Sequence, residues 1–383
     1  MPATPVNNSR GTYRVALRSV TFILFLFLAG STLAASFNDL IVFGDSLSDH
    51  GNDLAITFGT APKAPGYSDG RFSNGPLWVE RLGTLLRLGA PTGSQNGGKD
   101  FAYGGVTTGN GSTILNPGGF VQIRAPNIGA QITMWTNANM ASANQLFTLL
   151  GGGNDFFGVL DSGATTTAQS VADNMKNNVQ TLYNDGARNV MVLNLPDLGK
   201  TPRYRGTAKA AQATQLTTDF NSALKLDLDA VQAADTGLNL FRLDLFTLSN
   251  DLIANPASYG LTNVTDRAYT GDDTFAGNGT AVADPSKYLF WDAVHPTSAA
   301  HTLIGDAAFA LVPEPGSATL FLIFCRHLLR HAREPDMPAF HPSSPGKVCE
   351  KGSLVYCQTL TGKRAWLQEG VSFCVRFGRE ALV

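Results

Sequence analysis

Several short apolar runs in this chain stop abruptly at glycine or proline and give way to polar residues. Leu40-Ile41-Val42-Phe43 ends at Gly44-Asp45-Ser46, and Leu146-Phe147-Thr148-Leu149-Leu150 ends at Gly151-Gly152-Gly153-Asn154-Asp155. Asn189 to Leu195 is closed by Pro196, and Phe101-Ala102-Tyr103 by Gly104-Gly105. Runs of this length, apolar at successive positions, suit strands buried on both faces. Helical spacing lies between them. Leu77, Val79, Leu82, Leu85 and Leu86 follow Pro76, while Val171, Met175, Val179 and Leu182 precede Gly186, a residue suited to a helix end. Further helices are expected over 212–233, 246–254 and 298–310, with a strand over 239–245 and a loop over 111–129. Strands alternating with helices build βαβ units, hence a largely parallel sheet with helices on both faces. Such sheets keep their sites at the carboxyl ends of the strands.

That rule directs attention to Ser46. A strand that turns at Gly44 into a helix start leaves the serine beside unpaired N–H groups, which can hold an oxyanion. A serine or aspartate there is equally suited to capping a helix. A nucleophilic serine needs a base, a group to orient that base, and further oxyanion donors. His301 falls inside the closing helix, and His327, His331 and His341 follow the Pro-Glu-Pro element described below, which leaves His295 and His50. His295 has Asp292 three residues before it, within reach through a tight turn. His50 lies one turn beyond Ser46, with no equally clear acid to orient it. The glycine turns at Gly104-Gly105 and Gly152-Gly153-Asn154 offer backbone and side-chain amide donors. Asp272, Asp273 and Asp284 lie in an acidic loop but lack the spacing of a calcium loop, so no metal and no cofactor is expected.

The two ends carry signals of their own. Arg10, Arg14 and Arg18 precede the apolar run Val20 to Ala29, and Thr32-Leu33-Ala34-Ala35-Ser36 follows. This is the pattern of a secretory signal peptide over residues 1–35, and the run is too short to span a membrane. Residues 36–312 hold 16 Lys and Arg against 24 Asp and Glu, an acidic balance that argues against a nucleic-acid partner. All four cysteines, Cys325, Cys349, Cys357 and Cys374, come later, so disulfides play no part in residues 36–312. Val312-Pro313-Glu314-Pro315 introduces the apolar run Ala318 to Cys325 and the basic residues Arg326, His327, Arg330, His331 and Arg333. This element, 313–333, resembles the PEP-CTERM sorting signal. That resemblance implies an exosortase-type processing partner and association with the cell surface. Residues 334–383 form a basic, cysteine-containing tail, expected to be disordered or read in a shifted frame.

Gly44-Asp45-Ser46-Leu47, Gly105, Gly152-Gly153-Asn154-Asp155 and Asp292-Ala293-Val294-His295 together resemble, in order, the four blocks of the GDSL lipase/esterase family, the SGNH hydrolases. Gly70 to Pro76, Phe101 to Gly105 and Leu193 to Thr201 resemble its bacterial phospholipase and haemolysin-like branch. Asp100 departs from the Asn that often precedes Phe-Ala there, and the Gly-x-Ser-x-Gly elbow of α/β-hydrolases is absent, Ser48 standing at its second glycine. The resemblance implies a flavodoxin-like three-layer α/β/α sandwich and a secreted enzyme cleaving small-molecule or lipid esters. A carbohydrate deacetylase, an acyltransferase and a non-catalytic binding module on the same fold are the alternatives. It also implies the roles: Ser46 as nucleophile, His295 as base, Asp292 as its orienting acid, and Ser46, Gly105 and Asn154 as oxyanion donors. Gly104 is the alternative to Gly105.

Overall fold

The computed structural model describes residues 37–116 and 122–312. The signal-like segment, the sorting-like element and the cysteine-containing tail therefore lie outside the described residues. The sheet consists of β1 (Asp39–Gly44), β4 (Gln145–Leu150), β5 (Asn189–Leu193) and β6 (Asn239–Leu243), in the order β1-β4-β5-β6 with every pairing parallel. Residues 99–103 run beside the free edge of β1. Val42 N–H donates to Lys99 O at 3.0 Å and Phe101 N–H to Val42 O at 2.8 Å. The strand expected at Phe101 is thus an extended edge segment, ended at once by the Gly104-Gly105 turn.

Alternation along the strands divides the core into two layers. Ile41, Phe43, Phe147, Leu149, Val190 and Val192 face one way, against α3 (Ile128–Ala138), α5 (Ala168–Asp185) and α6 (Ala210–Ala234). Leu40, Val42, Leu146, Leu150, Met191 and Leu193 face the other way, against α2 (Trp78–Leu85) and α8 (Ser298–Ala310). This is the three-layer α/β/α sandwich that the resemblance implies, with a four-stranded parallel sheet. The shorter helices are α1 (Asn52–Ile56), α4 (Gly153–Ser162) and α7 (Leu245–Ala254).

Two local expectations change. The chain after Ser46 makes a turn, with Ser48 N–H and Asp49 N–H both donating to Asp45 O. Helix α1 begins only after Gly51, which takes a left-handed φ of 93°. The reason is Asp49, whose two carboxylate oxygens cap the N–H groups of Asn52 and Asp53 at 2.7 and 3.1 Å. The loop expected over 111–129 instead contains an antiparallel hairpin, β2 (Ser112–Leu115) with β3 (Ile123–Pro126), and leads into α3.

Candidate active site

Ser46 sits just beyond the carboxyl end of β1, and residues 292–295 form the loop between β7 (Tyr288–Phe290) and α8. The fold brings them together across 249 positions: His295 Nε2 lies 2.9 Å from Ser46 Oγ. On its other side, His295 Nδ1 is 2.7 Å from Asp292 Oδ2 and 2.9 Å from Oδ1. Asp292 Oδ1 also accepts the N–H groups of Val294 and His295, both at 2.9 Å. This three-residue turn holds the imidazole over its own acid. All three side chains are buried. Burial works against a charge on Asp292, but the His295 charge and these hydrogen bonds outweigh it and hold the carboxyl below its usual range. An imidazole with an acid on Nδ1 and a hydroxyl on Nε2 can take a proton from the hydroxyl and return it to a leaving group.

The glycine turns flank the serine. Gly105 adopts φ 72° and is exposed, and its N–H has no protein acceptor among the described residues. Gly104 is buried, and its N–H donates to Asp49 Oδ2 at 3.3 Å. A Cβ on Gly104 would lie 2.4 Å from the Phe72 ring and 2.6 Å from Asp53 Oδ2, so only glycine fits there. Of the two glycines, Gly105 is the one with a free donor. Asn154 stands in the first turn of α4, following Gly152 at φ 117°. Its Nδ2 donates one hydrogen to Val106 O at 2.9 Å, which fixes the amide and leaves the second hydrogen for another acceptor. Asp45 is buried, and burial pushes its carboxyl up to about 6. It accepts Leu47 N–H, which shapes the turn around the serine.

His50 belongs to a different cluster. It lies against Arg71 and is 3.3 Å from Glu80 Oε1. Asp100, the departure from the family pattern, is buried and accepts the N–H groups of Ala102 and His50. In the acidic loop, Asp272 accepts the N–H groups of Thr274, Ala276 and Gly277 and the Tyr269 hydroxyl, so it clasps its own turn.

No motif in the chain assigns a role to Tyr67, Phe72 or Phe275. Tyr67 is fully buried and its hydroxyl donates to Asp292 Oδ2 at 2.9 Å, the same oxygen that faces His295. Burial and the Asp292 carboxylate both raise the phenol's affinity for its proton, so it stays a donor. The Phe72 ring lies 5.2 Å from the imidazole, and Phe275 meets it edge-on at 5.9 Å. The Gly70 to Pro76 loop contains Phe72, but its pattern assigns the ring no role, and Tyr67 and Phe275 lie outside it.

An apolar cavity opens from Ser46 and Asn154 along the carboxyl edge of the sheet, lined by Phe157, Leu195, Leu248, Leu252, Ile253 and Phe290 among others. A second cavity is lined by Gly104, Gly105, Phe72 and Phe275 among others.

Residues 40–308 match the GDSL-like Lipase/Acylhydrolase family. The chain is 26% identical over 339 residues to the phosphatidylcholine-sterol acyltransferase of Aeromonas hydrophila, covering 76% of this chain and 96% of that protein. It is 31% identical over 354 residues to esterase EstA of Pseudomonas aeruginosa, covering 80% of this chain and 52% of that one. It therefore spans about half the length of some of the curated relatives it matches. Among solved structures it is similar to an acetylxylan esterase from Geobacillus stearothermophilus, at 13% identity and a TM-score of 0.42, covering 73% of this chain and 96% of that one. The match runs from the first residues of β1 to the last turn of α8, more than half of the chain, and on that ground the chain belongs to the GDSL-like lipase/acylhydrolase family, a family of ester-hydrolysing enzymes.

Proposed function

We propose that the protein is a secreted serine hydrolase that cleaves carboxylic esters through an acyl-enzyme on Ser46. The observation that carries this reading is the continuous relay from Ser46 Oγ to His295 Nε2 and from His295 Nδ1 to Asp292. In the first half-reaction His295 takes the Ser46 proton as Oγ attacks the ester carbonyl. The oxyanion settles against Ser46 N–H, Gly105 N–H and the free Asn154 hydrogen. His295 then gives its proton to the departing alcohol. In the second half-reaction water attacks the acyl-serine along the same path, and Ser46 is regenerated. The cavity lined by Leu195, Leu248, Leu252 and Ile253 suits an acyl chain. An acetyl group needs no such space, which favours a longer acyl group over the deacetylase reading. Acyl transfer to an alcohol is the second reading, since a relative of nearly matching extent carries that name.

Export is part of the proposal and rests on the N-terminal pattern. Exosortase-type processing and surface association rest on the Val312-Pro313-Glu314-Pro315 element. Ser46→Ala should abolish hydrolysis of p-nitrophenyl butyrate and labelling by a fluorophosphonate. Either activity surviving in full in that variant would end the reading. Products analysed with glycerol as a competing acceptor separate hydrolysis from transfer.

A further inference from the structure

The second cavity borders Gly104 and Gly105, shares no lining residue with the apolar cavity, and has a lining of different chemistry. Phe72 and Phe275 contribute aromatic rings, packed edge-to-face at 5.1 Å and 81°. Asp53 and Asp273 also line it, with several threonines, and none of the described residues lining it is Lys or Arg. The same two phenylalanine rings stand against His295, the group that would hand a proton to the departing alcohol. On the esterase reading, an acyl chain fills the apolar cavity and the alcohol portion is left with this one.

We propose that this second cavity is a leaving-group subsite for alcohols carrying a fixed positive charge, quaternary ammonium alcohols in particular. Ring faces attract such a cation through their quadrupoles, and carboxylates attract it by charge. Asp53 supplies an independent sign of unmet demand. It is only 3% exposed, and its Oδ1 is buried without a hydrogen-bond partner among the described residues. Burial and the neighbouring Asp49 carboxylate hold its carboxyl well above the ordinary range. A cation in the cavity would favour the ionised form of this buried carboxyl. Asp273 is highly exposed, and its one ion-pair partner among the described residues is Arg267 at 3.4 Å, also solvent-facing. Asp273 thus places a carboxyl group at the mouth of the cavity. An alcohol bearing phosphate or sulfonate meets two carboxyl groups and no cation in the lining, and is disfavoured.

The proposal rests on the esterase reading, and the experiment separates the two. The probes are butyrylcholine and its uncharged isostere 3,3-dimethylbutyl butyrate, with p-nitrophenyl butyrate as a general ester. We expect kcat/KM for the choline ester to exceed that for the isostere by roughly tenfold. Asp273→Asn and, separately, Phe275→Leu should each lower that ratio. Both esters are measured on one preparation, so loss of folded protein cancels from the ratio. A ratio at or below one in the unmodified protein overturns the subsite. A high ratio unchanged in both variants overturns its location. Failure to hydrolyse any of the three esters overturns the esterase reading itself, and the subsite with it.

Discussion

Tyr67 is the clearest case of a residue whose role appears only in the folded chain. Its hydroxyl and His295 Nδ1 share one oxygen of Asp292, so the phenol draws charge away from the face that holds the imidazole. Removing the hydroxyl concentrates that charge and leaves Asp292 with one hydrogen bond fewer. Tyr67→Phe keeps the ring in its edge-on contacts with Tyr269 and Phe275. We expect it to lower kcat for p-nitrophenyl butyrate by about tenfold with little change in KM, the size of one hydrogen bond to a charged group. The acid limb of the kcat/KM profile should also move to higher pH, because a more negative Asp292 favours the protonated imidazole. A purely structural role would lower activity without moving the limb. Asn154→Ala removes a proposed oxyanion donor and should cost on the order of 10²–10³ in kcat, read with the same ester.

At the scale of elements, one buried ion pair secures the loop that carries Tyr67 and Phe72. Arg71 stands between them in sequence and reaches Glu80, in the first turn of α2, through Nε at 2.7 Å and a second nitrogen at 2.9 Å. Glu80 also accepts Leu77 N–H at 2.8 Å, so the same carboxylate caps its helix. Burial opposes its charge, yet hydrogen bonds from His50 and Arg71 pull the group down to about 2. Glu80→Ala leaves the largely buried Arg71 with only the exposed Asp69 carboxylate, at 3.6 Å, and should destabilise the protein by about 3 kcal/mol in urea unfolding. Arg71→Met combined with Glu80→Leu should recover much of that loss. A single variant of unchanged stability would show that the pair is dispensable. Elements of this kind also mark where sequence reading stops. The runs at Leu40, Leu146 and Val190 were legible because a strand buried on both faces must be apolar at successive positions. So were α5, α6 and α8, whose apolar stripes repeat every turn. The β2–β3 hairpin was not, because its burial is partial and its residues Ser112 to Leu115 carry no strong apolar run. Helix α3 was hidden by Gly129 and by polar residues around Ile128, Ile132 and Trp135. The glycine turns stood out at the strand ends, and His295 through the aspartate three residues before it. Tyr67 meets Asp292 across 225 positions, and no local pattern carries such a contact.

Across the whole molecule, buried carboxyl groups govern how stability depends on pH. Burial raises Asp45 and Asp155 to about 6, and it also raises Asp49, Asp53 and Asp100. Each binds its proton more tightly folded than unfolded. The stability each contributes is complete below the unfolded value near 4 and is lost as pH rises through the folded value. Glu80 and Asp292 act in the opposite sense. Their contribution is complete above the unfolded value and disappears only as pH falls toward their lowered folded values, so it is constant from pH 5 upward. The acidic balance of residues 36–312 adds self-repulsion in the same direction as the raised groups. Two carboxyls each raised by about two units amount to several kcal/mol, at roughly 1.4 kcal/mol per unit. Part of their effect is already lost at pH 5. We therefore expect the urea midpoint to fall between pH 5 and pH 8, with a free-energy difference of about 2–5 kcal/mol. Asp155→Asn tests the assignment, because Asn can still accept from Thr108 N–H as the carboxylate does at 3.1 Å but cannot ionise. That variant should flatten the pH dependence. A midpoint that rises with pH in the unmodified protein would mean that these carboxyls are ionised in the fold, with counter-charges that none of their hydrogen-bond partners supplies.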